Sequence, residues 1–287
     1  MADQARELSS LKMEGSGALR FCARVAHVTD VGRRRRNNQD SHLILPLRDG
    51  GVPQDAGEGL IEIESGGLLL AVADGMGGHF GGEVASRLCV ETLAKEIVTQ
   101  LQGSENGQSH LSGALQKTVE AAHHILFAHA QGYAEKLTMG TTLTAALLQG
   151  AHADIAQVGD SRAYLFRDGN LILLTEDQTI GNQLRSRGED STRVDARIQE
   201  MLIQAVGAQA RIEVIMAAID LEVEDLLLLC CDGLYKVVQP ADIVDTLELD
   251  RGLSEKAAHL VGLANEAGGP DNITVILTEI CQAENVA

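Results

Sequence analysis

Two stretches of the chain place apolar residues at helical spacing. Ala85, Leu88, Cys89, Thr92, Leu93 and Ile97 fall on one face, and Leu111, Leu115, Thr118, Ala122, Ile125 and Leu126 on another. They flank a Gly-containing polar segment at 103–110, so they predict an antiparallel helix pair. The period then shortens. Segments 141–149, 154–158, 161–167 and 170–174 read as strands separated by short turns, with Asp168-Gly169 as a hairpin signal. The stretch 179–204 is polar and helical in character. Strands return at 212–216, 226–231 and 273–277, with helices at 240–247 and 254–266 between the last two. Residues 1–19 read as a flexible tail and 49–59 as a loop. No linker is long enough to divide residues 20–282, which are expected to form a single domain. Antiparallel strands in runs, with helices grouped in pairs, predict an α+β layered fold in which two antiparallel sheets stack and helix pairs cover the outside.

Composition narrows what such a fold does. Among 287 residues, 23 Lys and Arg stand against 41 Asp and Glu, a formal net charge of −18. Such a surplus of carboxylates opposes binding to nucleic acid and to an anionic membrane surface, so neither is expected as a partner. Aromatics are only 2%, with no Trp, so the core is expected to be aliphatic. The longest apolar runs, such as 226–231, fall far short of the roughly 20 residues of a spanning helix. The first 20 residues show no apolar block of the secretory kind. The five Cys are odd in number and form no C-x-x-C pattern, which points to reduced thiols and a cytoplasmic location.

Candidate chemistry lies at the ends of strands. Two six-residue apolar runs, 68–73 and 226–231, each end in Asp-Gly, at Asp74-Gly75 and Asp232-Gly233. Continuous apolar runs predict strands buried on both faces, so each Asp stands where a buried strand emerges. The plain alternative is that Asp-Gly only starts a turn. Asp271 precedes the apolar strand 273–277, and Asp40 precedes the apolar stretch 43–47. If 226–231 and 273–277 pair antiparallel, Asp232 and Asp271 share one sheet edge, and Asp74 and Asp40 can join them there. Carboxylates so placed repel one another unless a cation intervenes, and an all-oxygen donor set suits Mg²⁺ or Mn²⁺. Two such ions acidify a bridging water and neutralise a phosphoryl oxygen. Arg33-Arg34-Arg35-Arg36 is the one strong basic cluster, and an Arg binds phosphate bidentately. His123-His124 lie on a predicted helix and read as surface residues. The Gly-rich segment 75–82 does not fit a dinucleotide fingerprint, because Phe80 occupies the final Gly position.

Six segments resemble, in order, the metal-dependent protein phosphatases of type 2C in their bacterial form. They are Gly32-x-x-Arg35-x-Asn37-Asn38-Gln39-Asp40, Val72-Ala73-Asp74-Gly75-Met76-Gly77-Gly78-His79, Met139-Gly140-Thr141-Thr142, Val158-Gly159-Asp160-Ser161-Arg162, Cys231-Asp232-Gly233-Leu234 and Gly269-Pro270-Asp271-Asn272-Ile273-Thr274. The resemblance spans about residues 23–279. It implies a four-layer α-β-β-α sandwich and hydrolysis of phosphoserine and phosphothreonine in proteins by a metal-activated water. It further implies that Asp74 bridges two Mn²⁺ or Mg²⁺ ions, with Asp232 and Asp271 on the first. The Gly75 carbonyl and an acidic residue of the Asn-Asn-Gln-Asp segment serve the second, and Arg35 holds the substrate phosphate. Gly159 to Arg162, Thr141 and Thr142 read as structural.

The chain departs from the family pattern at three places. Gln39 stands where many relatives have Glu, which makes Asp40 the better ligand. Met76 stands where some eukaryotic relatives carry a His as general acid; His79 a few residues on, or a metal-bound water, is left to protonate the leaving alkoxide. Leu137-Thr138 stand where bacterial relatives often carry an Asp for a third ion, with Glu135 further back, so two ions rather than three are expected. Segment 179–197 is expected to be a flap beside the site, its Arg185, Arg187 and Arg193 more solvated than engaged. A phosphoprotein, with a serine/threonine kinase as its counterpart, is the expected partner of a monomer. The competing reading is a catalytically weak module that binds a phosphoprotein or regulator.

Overall fold

A computed structural model describes residues 20–47, 60–64, 67–77, 81–102, 111–132 and 139–283. The expected tail at 1–19 and the loops at 49–59 and 103–110 lie outside the described residues, as do His79 and Glu135 to Thr138.

Two six-stranded groups of antiparallel strands make up the centre. The first sheet has the order β3 (Leu60–Glu62), β1 (Arg20–Asp30), β12 (Ile273–Ala283), β11 (Leu226–Cys230), β8 (Arg162–Arg167), β9 (Asn170–Leu173). The second runs β10 (Ile215–Asp220), β7 (His152–Val158), β6 (Leu143–Gln149), β4 (Leu68–Met76), β2 (Asp40–Pro46), with the short β5 (Gly140–Thr141) also paired to β4.

Strand periodicity divides the core into three apolar layers. Along β4, Leu68, Leu70 and Val72 point one way and Leu69, Ala71 and Ala73 the other. The first set meets Leu227, Leu229, Ile276 and Ile280 of the other sheet, forming the seam of the sandwich. The second set packs under α1 (Gly81–Gln102) and α2 (Leu111–Gln131), through Cys89, Leu93, Ile97, Leu115, Val119 and Leu126. On the opposite outer face, Leu226, Leu228 and Cys230 pack under α6 (Pro240–Glu248) and α7 (Leu253–Glu266). The two apolar runs are thus buried on both sides, because each central strand has a sheet on one face and helices on the other. The described residues form the expected α-β-β-α sandwich, and all five Cys are free thiols.

Several details differ from expectation. Strand β1 was not foreseen: its burial does not alternate, and Arg20, Arg24 and His27 interrupt the apolar pattern. The strand expected at 212–216 lies instead at Ile215–Asp220, where it pairs with β7. Ile125 faces solvent, 43% exposed, rather than the helix core. His123, expected at the surface, is buried, and its Nδ1 accepts from the Gly207 amide at 3.1 Å. Helix α2 packs against the chain near Val206, so the His side faces a neighbour rather than water.

Segment 179–204 is an excursion on a narrow neck. The Ile180 amide donates to the Met201 carbonyl and the Ile203 amide to the Gln178 carbonyl, while Thr179 bridges Leu202. Beyond that neck lie α3 (Ile180–Ser186), a 3-10 turn (Ser191–Arg193) and α4 (Ala196–Gln199).

Candidate active site

The four carboxylates singled out in the sequence come from both sheets. Strand β11 pairs antiparallel with β12, as expected, which sets Asp232, just beyond β11, beside Asp271, just before β12. Asp40 and Asp74 belong to the other sheet, where they are cross-strand partners in the β2–β4 register. Such partners have Cβ atoms about 5 Å apart. The expectation of one shared sheet edge is therefore corrected: the carboxylates meet across the mouth of the sandwich, two from each sheet.

Neither Asp-Gly pair is a turn. Strand β4 continues through Asp74 and Gly75 to Met76, and Asp232 opens α5 (Asp232–Tyr235). Both glycines are required by close backbone approach. A Cβ on Gly75 would run into the carbonyl oxygens of Gly82 and Gln39, and one on Gly233 into that of Asn272.

The backbone around the carboxylates is held by buried polar side chains. The Asp74 amide donates to Thr142 Oγ1 at 3.0 Å, and the Asp74 carbonyl accepts from Thr141 Oγ1 at 2.9 Å and from the Thr142 amide at 2.9 Å. The two threonines thus do more than pack: they fix the strand that carries Asp74. Asn272 Nδ2 donates to the carbonyls of Val31 and Asn37, and its Oδ1 accepts from the Gln39 amide at 2.8 Å. The Gln39 carbonyl accepts from Ser86 Oγ at 2.6 Å and from the Gly75 amide at 3.1 Å. Gln39 therefore acts through its backbone, fastening β4 to the Asn-Asn-Gln-Asp segment.

Asp40 ends a relay of hydrogen bonds. Thr274 Oγ1 donates to Asp40 Oδ2 at 2.6 Å, Thr29 and Thr274 hydroxyls touch at 2.8 Å, and Asn38 Nδ2 donates to Thr29 Oγ1 at 2.8 Å. Since the Thr274 proton goes to Asp40, the Thr29 proton must go to Thr274. Thr29, Thr274 and Asn272 were not assigned roles from the sequence; only their place in or near the motifs pointed to them.

The electrostatics are those of crowded acid. Burial, then the charges of Asp232 and Asp271, push the Asp40 carboxyl up to about 7 against hydrogen bonds from Thr274 and Cys231 that lower it. Asp74 is raised well above the ordinary carboxylate range by burial and by Asp40, Asp232 and Asp271. Two cations answer part of this charge. Arg35, held because Arg33 and Arg34 amides donate to the Gly269 carbonyl, pairs with Asp271. Lys236 Nζ lies 2.7 Å from Asp232 Oδ2.

The donor set fits a hard divalent cation. Asp40 Oδ1 and Asp232 Oδ1 are buried with no hydrogen-bond partner, and both belong to carboxylates at the mouth. A buried unpaired carboxylate oxygen is costly unless a cation meets it. Among the described residues no three acidic, His or Cys side chains already converge on one point, because Asp271 is turned onto Arg35 and Asp232 onto Lys236. Asp40, Asp74, Asp232, Asp271 and Arg35 are near enough at the mouth to feel one another's charge, with Gln39 and Gly75 in the backbone beside them, whereas His79 lies outside the described residues.

Comparison with known proteins places this geometry. Residues 46–257 match the family described as Protein phosphatase 2C. The chain belongs to that family. It is 36% identical over 256 residues to the serine/threonine phosphatase stp of Listeria innocua serovar 6a, covering 88% of this chain and 93% of that protein. It is 34% identical over 263 residues to the serine/threonine protein phosphatase PstP of Mycobacterium tuberculosis, covering 91% of this chain and 45% of that longer protein. Among solved structures, serine/threonine phosphatase Stp1 from Staphylococcus aureus superposes with a TM-score of 0.76 at 27% identity, over 89% of this chain and 94% of that one. The PstP catalytic domain in complex with two manganese ions gives 0.69 at 31% identity, over 91% and 99%. This phosphatase 2C chain carries out metal-dependent dephosphorylation of serine and threonine in proteins.

Proposed function

We propose that Asp40, Asp74, the Gly75 carbonyl, Asp232 and Asp271 hold two divalent ions, Mn²⁺ or Mg²⁺, and that Arg35 receives the substrate phosphate. The observation that carries this reading is the pair of buried, unpartnered oxygens, Asp40 Oδ1 and Asp232 Oδ1, on carboxylates from facing sheets. When bound, the ions acidify water to a nucleophile and neutralise phosphoryl charge. The protein's own part is positional. Thr141 and Thr142 fix the Asp74 backbone, Thr274 orients Asp40, and Asn272 ties the Gln39 backbone to the strand that carries Thr274. Arg35 is anchored beside Asp271, so its guanidinium is already at the rim where a phosphate dianion arrives.

In this reading residues 20–282 are a single phosphatase domain with 179–197 as its flap. The narrow neck at 178–180 and 201–203 supports a segment able to shift as a unit, and Arg185 lines the cleft between flap and site. Substrates are phosphoproteins, either targets of a partner serine/threonine kinase or the kinase itself, met in the cytoplasm by a monomer. Among the described residues no helix is long and apolar enough to cross a membrane.

The test measures phosphate release from a phosphothreonine peptide with Mn²⁺, with Mg²⁺ and with EDTA, for the native chain and for Asp74→Asn. Metal-dependent turnover that falls at least a hundredfold in the variant is expected. Peptide binding without turnover under any metal condition would establish the binding-module reading instead.

A further inference from the structure

We propose that Lys236 is a tethered counter-ion that closes one side of the metal site, holding it to two divalent ions. The inference rests on the assignment of Asp232 to the metal centre. Lys236 follows α5 and sits one helical turn beyond Asp232. Its Nζ lies 2.7 Å from Asp232 Oδ2 and 3.5 Å from Asp160 Oδ2, so one ammonium spans two carboxylates. Asp160 is nearly buried, and its carboxyl is pushed up to about 6 by burial and then by Asp232, against the pull of Lys236. Its loop is clamped: Tyr235 Oη donates to the Asp160 carbonyl at 2.9 Å, and the Gly159 amide donates to Gln178 Oε1 at 2.7 Å. The Arg162 guanidinium stacks 3.7 Å over the Tyr235 ring and makes two bonds to Asp177, so it is committed elsewhere. Lys236 is thus the cation that spans the Asp160–Asp232 pair.

Asp160 and Lys236 border a cleft, with Asp232 set behind the ammonium. This cleft of about 360 Å³ between the site and the flap is lined by Asp160, Arg162, Arg185, Glu200, Tyr235 and Lys236. Without the ammonium, Asp160 at the cleft wall and Asp232 at the start of α5 behind it would have no cation between them, a position that hard hydrated cations favour. Lys236 fills it with a single charge that cannot exchange. It also occupies Asp232 Oδ2, leaving the buried Oδ1 as the oxygen free to meet a divalent ion. The charge balance agrees. Five carboxylates, Asp40, Asp74, Asp160, Asp232 and Asp271, face Arg35 and Lys236; two divalent ions bring the set to one positive charge, and an arriving phosphate dianion then meets a favourable field.

The experiment titrates Mn²⁺ into the full chain by calorimetry and by the loss of the free-ion paramagnetic resonance signal. It compares wild type with Lys236→Met, Lys236→Gln and Lys236→Arg, and repeats thermal unfolding in EDTA and in Mn²⁺. Wild type and Lys236→Arg are expected to bind two ions. The two neutral variants are expected to bind a further, weaker ion and to lose stability in EDTA that Mn²⁺ restores. Two ions bound with unchanged affinity in folded Lys236→Met or Lys236→Gln would overturn the proposal. So would a failure of both to fold in EDTA and in Mn²⁺ alike, since Lys236 would then serve packing rather than charge. A neutral variant that folds only with Mn²⁺ supports it. If wild type itself binds no Mn²⁺, or Asp74→Asn binds it as wild type does, the site assignment has failed rather than the role of Lys236.

Discussion

Replacing Asp40 by Asn should stabilise the metal-free protein while weakening its response to metal. The Asp40 carboxyl is raised from 3.8 to about 7, first by burial. Between those values the folded chain holds a proton that the unfolded chain has released, so stability falls as pH rises through the window and is fully lost above it. At about 1.4 kcal/mol for each tenfold step, the full cost above pH 7 is about 4 kcal/mol, and about 3 kcal/mol of it develops between pH 5 and pH 8. Asn keeps an acceptor for Thr274 and carries no charge toward Asp74, Asp232 and Asp271. Urea unfolding in EDTA should therefore show Asp40→Asn more stable than wild type at pH 8, by about 2–4 kcal/mol, with the difference shrinking toward pH 5. Mn²⁺ at a hundred times its dissociation constant should raise wild type by about 3 kcal/mol and the variant by less. A variant no more stable than wild type at pH 8 in EDTA, or a difference that does not change with pH, would refute the reasoning.

Two further predictions concern parts of the fold away from the metals. Arg167 makes two bonds to Asp225, at 2.7 and 2.6 Å, and Asp225 is only 2% exposed. Arg167→Leu leaves that carboxylate buried without a counter-charge, its remaining partner being the Glu222 amide at 2.7 Å, and should cost about 3–5 kcal/mol; the added change Asp225→Leu should recover most of it, and a single-variant loss under about 1 kcal/mol by urea unfolding would contradict the burial argument. The buried His123 is held neutral, its titration lowered from 6.5 by burial and by His124. The unfolded chain takes up a proton below 6.5 that the folded chain refuses, so this part of the stability is present above that pH and is lost as pH falls; unfolding of wild type and His123→Asn at pH 8 and pH 5.5 should show the variant losing less.

The sequence pattern singled out the candidate aspartates because the strands of Asp74 and Asp232 are the ones buried on both faces, and a six-residue apolar run ending in Asp-Gly is visible without a structure. It did not show which sheet each strand joins. Runs 68–73 and 226–231 look alike because each has a sheet on one side and helices on the other, and nothing in that local pattern distinguishes the two sheets. Two carboxylates from each sheet meeting across the mouth is a property of topology. Strand β1 was hidden for the converse reason: its outer positions carry Arg24 and His27 while adjacent pairs such as Cys22-Ala23 and Val25-Ala26 are buried, so neither period appears. His123 looked like surface because its neighbour, the turn at Gly207, is 84 residues away in the chain. Lys236 differs from all of these. Its spacing of four from Asp232 on a helical segment was in plain sight, and such a pair at a surface contributes only a few tenths of a kcal/mol. What changes its meaning is Asp160, brought 3.5 Å from the same ammonium by the turn between β7 and β8. A charge that local sequence reads as ordinary solvation becomes part of the site's cation balance once a second carboxylate arrives from elsewhere in the fold. The net charge of −18 behaves likewise: its sum says little, and the few acids whose partners are fixed cations or exchangeable ions decide what the protein binds.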